Sequence, residues 1–123
     1  MKKTTVMSEA EKEVMRIIWA SDGPVTSNQI LERLPPERNL KITTVLTFLS
    51  RLVEKGLLKN KKVGKKNYYY PQMDENEYKR LESRAFLESL HGGSIKSFFA
   101  ALYDGNEISR KEIEELKKWL EER

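Results

Sequence analysis

A mainly α-helical chain with one small β-hairpin is what this sequence predicts, on three observations. Apolar residues recur at helical spacing, three times directly behind capping patterns: Ser8 with Glu11, Thr26 with Gln29, and Ser109 with Glu112. Residues 57–71 alternate instead around a glycine-containing turn, which is the spacing of two paired strands. Glycine and proline stand between these blocks, at Gly23-Pro24, Pro35-Pro36, Gly56, Pro71 and Gly92-Gly93.

The first helix is expected over residues 9–20, with Ala10, Val14, Ile17 and Ile18 as its apolar stripe and Asp22-Gly23-Pro24 as its stop. A short second helix turns Ile30, Leu31 and Leu34 inward and ends at Pro35-Pro36, with Val25 before it placed for a one-residue strand contact. The third helix is expected over residues 42–55. Val45, Leu46, Leu49, Leu52 and Val53 form its buried side, and Gly56 suits the left-handed position after its end. Strands at 57–62 and 67–71 then flank a turn at Val63-Gly64-Lys65-Lys66. Tyr68, Tyr69 and Tyr70 alternate across that ribbon, so one or two of them should pack on the third helix.

Three short helices and a hairpin make a winged helix-turn-helix unit, residues 1–71. Residues 72–123 should form three amphipathic helices. The first starts near Asp74 and carries Tyr78, Leu81, Ala85, Phe86 and Leu90. The second is capped by Ser94 and carries Ile95, Phe98, Phe99 and Leu102. The third carries Ile113, Leu116, Trp119 and Leu120. Three helices this short close a poor core alone. A second copy of the same segment would complete it, with Phe86, Leu90, Phe99, Leu102, Ile113, Leu116, Trp119 and Leu120 as the dimerisation residues.

Charge locates the candidate site. Between Arg38 and Lys66 stand nine basic side chains and one acid, Glu54, a local balance of +8 in a chain of net charge +4. A strongly basic helix and ribbon is what a protein needs to rest on phosphates while a helix enters a groove. Short polar side chains approach base edges without clashing, and longer basic ones reach the flanking phosphates. Lys41, Thr43, Thr44 and Thr47 fit the first need, with Lys41 as a phosphate or guanine contact, and Arg51 one turn further on fits the second. Lys62, Lys65, Lys66 and Asn67, with Lys59 and Lys61, form the wing. The plain alternatives are a solvated helix face for the threonines and edge protection for the lysines. Base stacking by the tyrosine trio is a further, weaker alternative to packing.

Other chemistries find no support. With no cysteine, disulfides, thiolate metal sites and cysteine nucleophiles are excluded. No metal-ligand spacing, phosphate-cradling glycine loop or nucleophile–base pair is present, so no cofactor and no catalysis are expected. His91, Trp19 and Trp119 read as capping or packing residues, and the acidic runs 74–77 and 112–115 as helix-start charges. No apolar run approaches the ~20 residues needed to cross a membrane. Lys2 and Lys3 have no apolar stretch behind them, so no secretory leader is expected and the chain reads as cytoplasmic.

The motifs together resemble the penicillinase-repressor family (BlaI/MecI-type), which also includes copper-transport repressors. They are Glu11-Lys12-Glu13-Val14-Met15-Arg16-Ile17-Ile18-Trp19, Thr43-Thr44-Val45, Arg51-Leu52-Val53-Glu54-Lys55-Gly56, Tyr70-Pro71, the Glu75–Tyr78 stretch, Gly92-Gly93-Ser94 and Ile113-Glu114-Glu115-Leu116, in family order from about Ser8 to Glu122. The resemblance implies a homodimeric repressor that binds inverted repeats through the third helix and wing and dimerises through its C-terminal helices. In the β-lactam branch it implies induction through a membrane sensor or protease system that cuts an Asn-Phe bond in the fifth helix. This chain has no Asn-Phe pair, and Ala100-Ala101 stands at that place. The copper branch senses metal through a cysteine cluster that is missing here. The residues alone leave two other readings open: a winged helix used as a protein-interaction module, and a non-specific architectural DNA binder.

Overall fold

A computed structural model describes residues 6–123; Lys2 and Lys3, on which the leader reading rests, lie outside the described residues. In order the elements are α1 (Glu9–Trp19), α2 (Ser27–Arg33), a 3₁₀ turn (Pro36–Arg38), α3 (Ile42–Glu54), β1 (Leu58–Val63), β2 (Lys66–Pro71), α4 (Glu75–His91), α5 (Ile95–Asp104) and α6 (Arg110–Glu121). α1, α2, α5 and α6 each start at a side-chain cap. Ser8, Thr26 and Ser109 close reciprocal capping boxes, and Ser94 accepts from the Ser97 backbone. Such a cap contributes about 1 kcal/mol to its helix.

α3 ends in a Schellman motif. The amide of Leu57 donates to the Leu52 carbonyl and that of Gly56 to the Val53 carbonyl, with Gly56 at φ +81°. That reversal starts β1, which pairs antiparallel with β2 from Leu58 opposite Pro71 to Val63 opposite Lys66. The connection is therefore a two-residue turn, Gly64-Lys65, tighter than the four residues expected. Gly64 has φ +63° and Lys65 does not have positive φ, the sign pattern of a type II′ turn that matches strand twist. The Val25 amide donates to the Tyr69 carbonyl and the Val25 carbonyl accepts from the Tyr69 amide, so the expected one-residue strand contact forms.

The first compact unit ends at Glu82, and its core draws on every α-helix and strand up to that point but not on the 3₁₀ turn. Val14, Met15 and Ile18 of α1 meet Ile30 of α2 and Val45, Leu49 and Leu52 of α3, all fully buried. Removing side chains of this size from water contributes about 1.5–3 kcal/mol each. Three details depart from expectation. Leu46 is not on the buried side of α3 but 42% exposed. Tyr69 alone of the tyrosine trio is buried, and β2 packs on α1 and α2 while β1 faces α3. The unit also continues past Pro71 into α4: Tyr78 is buried, its hydroxyl accepts from the Met7 amide at 3.1 Å, and its ring lies 5.9 Å from Trp19. Trp19 itself donates from Nε1 to the Met73 carbonyl.

The second unit, Ser83–Arg123, is built differently. Its helices are well started, yet none of its described side chains is fully buried. Phe86, His91 and Phe98 meet edge to face at 5.6–5.9 Å, and His91 Nδ1 lies 2.9 Å from the Ser97 hydroxyl, the packing role expected for it. α5 and α6 enclose an open apolar groove of about 400 Å³ lined by Phe99, Tyr103, Ile108, Ile113, Leu116 and Leu120 among others. Of the eight residues assigned to dimerisation, Phe99, Leu102, Ile113 and Leu116 are half-buried, whereas Phe86, Leu90, Trp119 and Leu120 are exposed. The Arg123 guanidinium lies over the Trp119 ring, 4.4 Å from its centroid. Among the described residues no helix is long and apolar enough to cross a membrane, and no acidic or histidine cluster has metal-holding geometry.

Candidate nucleic-acid interface

The amphipathic phase of α3 decides what faces outward. With Val45, Leu49 and Leu52 committed to the core, Thr43, Thr47, Ser50 and Arg51 are left exposed, and Thr44 is half-buried at the edge. Lys41 is the N-cap residue and exposed. Its side chain makes no capping bond, so first-turn amides of α3 have no side-chain acceptor there. Thr47 donates its hydroxyl to the Thr43 carbonyl at 3.1 Å. That bond uses the donor and leaves the oxygen lone pairs outward, so Thr47 presents an acceptor and a methyl group.

Register divides the wing into two sets. Residues directly opposite in a hairpin share a face. Lys59 with Tyr70 and Lys61 with Tyr68 lie on one side, while Lys62 with Asn67 lies on the side that carries Leu58 and Tyr69 into the core. Nothing from Lys59 to Asn67 is buried, so the hairpin tip extends beyond the core. Its inner side and tip border a cleft of about 450 Å³, where Lys65, Lys66 and Asn67 meet Asn28 and Gln29 of α2 and Leu46 of α3. The fold thus brings the wing tip, α2 and Leu46 of α3 to one concave surface, while Lys41, Thr43, Thr47 and Arg51 lie outside that cleft.

Two of the nine basic residues are spent inside the unit. Lys55 Nζ lies 2.6 Å from Glu11 Oε1 and donates to the Val6 carbonyl, and Glu11 is only 1% exposed. Burial pushes the Glu11 carboxyl up, but Lys55 and the Ser8 backbone and hydroxyl outweigh it and hold the group below the ordinary carboxylate value. Arg38 grips Glu13 with two nitrogens, at 3.0–3.3 Å. The other seven, Lys41, Arg51, Lys59, Lys61, Lys62, Lys65 and Lys66, make no ion pair among the described residues. Sequence reasoning counted Lys55 and Arg38 with the rest. Only Glu11 in the first capping box hinted otherwise, since a capping carboxylate sits beside the core.

A three-helix unit with a Schellman-terminated third helix and a basic two-stranded wing is a winged helix, here followed by a helical appendage. The fold is shared with the solved DNA-binding domain of the repressor BlaI, 36% identical, with a TM-score of 0.55 over 63% of this chain and 94% of that one. A second solved structure, BlaI of Bacillus licheniformis as a monomer with the blaP half-operator, is also 36% identical, at a TM-score of 0.51 over the same shares. The chain belongs to the penicillinase repressor family, whose model matches residues 7–122. It is 34% identical over 122 residues to the penicillinase repressor of Bacillus licheniformis, covering 99% of this chain and 94% of that protein. It is 33% identical over 118 residues to the methicillin resistance regulatory protein MecI of Mammaliicoccus sciuri, covering 96% and 95%.

Proposed function

We propose that this protein is a homodimeric transcriptional repressor, without enzymatic activity, that acts on an inverted-repeat operator in the cytoplasm. α3 enters the major groove with Thr43, Thr44 and Thr47 toward base edges, and Lys41 and Arg51 reach phosphates. Lys62, Lys65, Lys66 and Asn67 hold the backbone beside it. One observation carries the reading: seven cations without an ion-pair partner among the described residues are concentrated on α3 and the wing, whereas Lys55 and Arg38 are neutralised by Glu11 and Glu13. A protein-interaction module has no use for that separation. The family relatives named as repressors, and the BlaI complex with a half-operator, support the same conclusion.

The dimer follows from the second unit, whose apolar side chains are left uncovered by its own helices. Two protomers place two α3 helices about one helical turn of DNA apart, which matches an inverted repeat. The cleavage bond that the resemblance implies is not present in this sequence: Ala100 and Ala101 stand at that place, exposed within α5. We therefore assign no β-lactam-triggered cleavage at that place.

Gel mobility shift on the protein's own promoter tests the proposal. With about four phosphates neutralised per protomer, log affinity should fall against log salt with a slope of roughly −7. Thr47→Ala should lower the ratio of operator to random-duplex affinity, and Lys65→Ala with Lys66→Ala should weaken both alike. A chain that shifts no DNA at low salt is an interaction module. One that binds operator and random duplex equally is an architectural binder.

A further inference from the structure

Leu46 is the apolar residue that the fold places where a polar one is expected. It follows the buried Val45 by one position and lies on the surface shared by Thr43, three residues before, and Ser50, four residues after. The other large apolar side chains of α3 are buried or half-buried; Leu46 is 42% exposed. It is also the one large aliphatic side chain lining the cleft beneath the wing tip, among amides, hydroxyls, the Glu32 carboxylate, two tyrosines and the lysines Lys65 and Lys66. A leucine there has no donor or acceptor with which to read a hydrogen-bonding edge.

The major groove offers one apolar group that distinguishes bases, the C5-methyl of thymine. Resting on the reading of α3 as the groove helix, we propose that Leu46 is a specificity residue that selects thymine in each half-site by packing on that methyl. The flanking geometry suits the task. Lys65 and Lys66 at the wing tip take the phosphates on one side, and Thr43 and Thr47 occupy the neighbouring base edges. Leu46 then loses its remaining solvent contact only when a methyl fills the space before it, so the contact is made with thymine and missed with cytosine or uracil.

The full-length protein, offered a random-sequence duplex library, should enrich a consensus with a thymine in each half-site. In that duplex each thymine is then replaced singly by deoxyuridine, which removes the methyl and keeps every hydrogen-bonding group. One position per half-site should weaken binding about fourfold for the wild-type protein, the value of one buried methyl. Leu46→Ala, an exposed change that leaves the melting temperature in place, should bind the thymine duplex more weakly and lose nothing further on uracil at that position. A consensus lacking thymine, a consensus indifferent to every methyl, or equal uracil sensitivity in Leu46→Ala overturns the assignment of Leu46 and leaves the repressor reading standing. A library from which no sequence is enriched overturns both.

Discussion

The two units of this chain are equally well specified locally and unequally closed. α1 and α6 begin with the same reciprocal Ser–Glu capping box, yet α1 buries Val14, Met15 and Ile18 completely and α6 buries nothing. Caps and amphipathic spacing are properties of a dozen residues, whereas a core requires opposing faces. Up to Glu82, three helices, a hairpin and the start of α4 supply those faces to one another. After it, Leu90 of α4 is 66% exposed, and Leu120, 57% exposed, lines the apolar groove between α5 and α6. The contrast teaches that helix formation and burial are separable, and it is what motivates the proposed second copy as the source of burial for the second unit.

Where the chain is cut gives the largest test of that contrast. Ending it after Glu82 should leave the first unit folded and monomeric, with affinity for a palindromic duplex about a hundredfold or more lower through lost bivalency. Sedimentation and mobility shift report both. Ending it after Pro71 should additionally lower the melting temperature, because Tyr78 and its bond to the Met7 amide are removed. A first unit that still sediments as a dimer after the cut at Glu82 places the interface elsewhere.

Point changes should separate the two units next. Leu49→Ala should cost about 2–5 kcal/mol in denaturant unfolding of the first unit, since Leu49 is fully buried. Leu120→Ala should leave a dilute protein's unfolding almost unchanged and raise the dimer dissociation constant. Equal effects in both assays would show that the second unit closes its own core.

The smallest expected effect concerns Glu11, and it is specific to pH. Its carboxyl is held below the ordinary value in the fold, so the pair with Lys55 stabilises at pH above the unfolded value near 4.5 and is lost as pH falls through the lower folded one. Glu11→Gln should cost about 1–3 kcal/mol at neutral pH. It should also flatten the acid limb of stability against pH, while changes in the second unit leave that limb alone.

Local chemistry was legible in the sequence, and tertiary recruitment was not. Ser8, Thr26, Ser109 and Gly56 act within a few residues of themselves, and each stands where its pattern placed it. Leu46 was misplaced because it sits at the edge of the apolar arc of α3, where helical spacing alone does not say which side wins. Tyr78 was read as part of the C-terminal helices because Pro71 looks like a boundary, but the first core needed its ring. Lys55 was counted as a free cation because its partner lies 44 residues earlier in the chain. The outward face of α3 was visible because polar Thr43, Thr47 and Arg51 fall opposite Leu49 and Leu52 at helical spacing.

The two-residue turn at Gly64-Lys65 gives the wing a parity. Because side chains alternate strictly along a strand, adding or deleting one residue on a single arm would send Asn67 and Tyr69 to opposite sides from those they now occupy. Tyr69 would leave the core as Asn67 left the cleft, even with every lysine retained. An arm of the hairpin therefore cannot change its count by one unless a bulge or a different turn absorbs the residue, and Gly64 at φ +63° restricts which turn the tip can form.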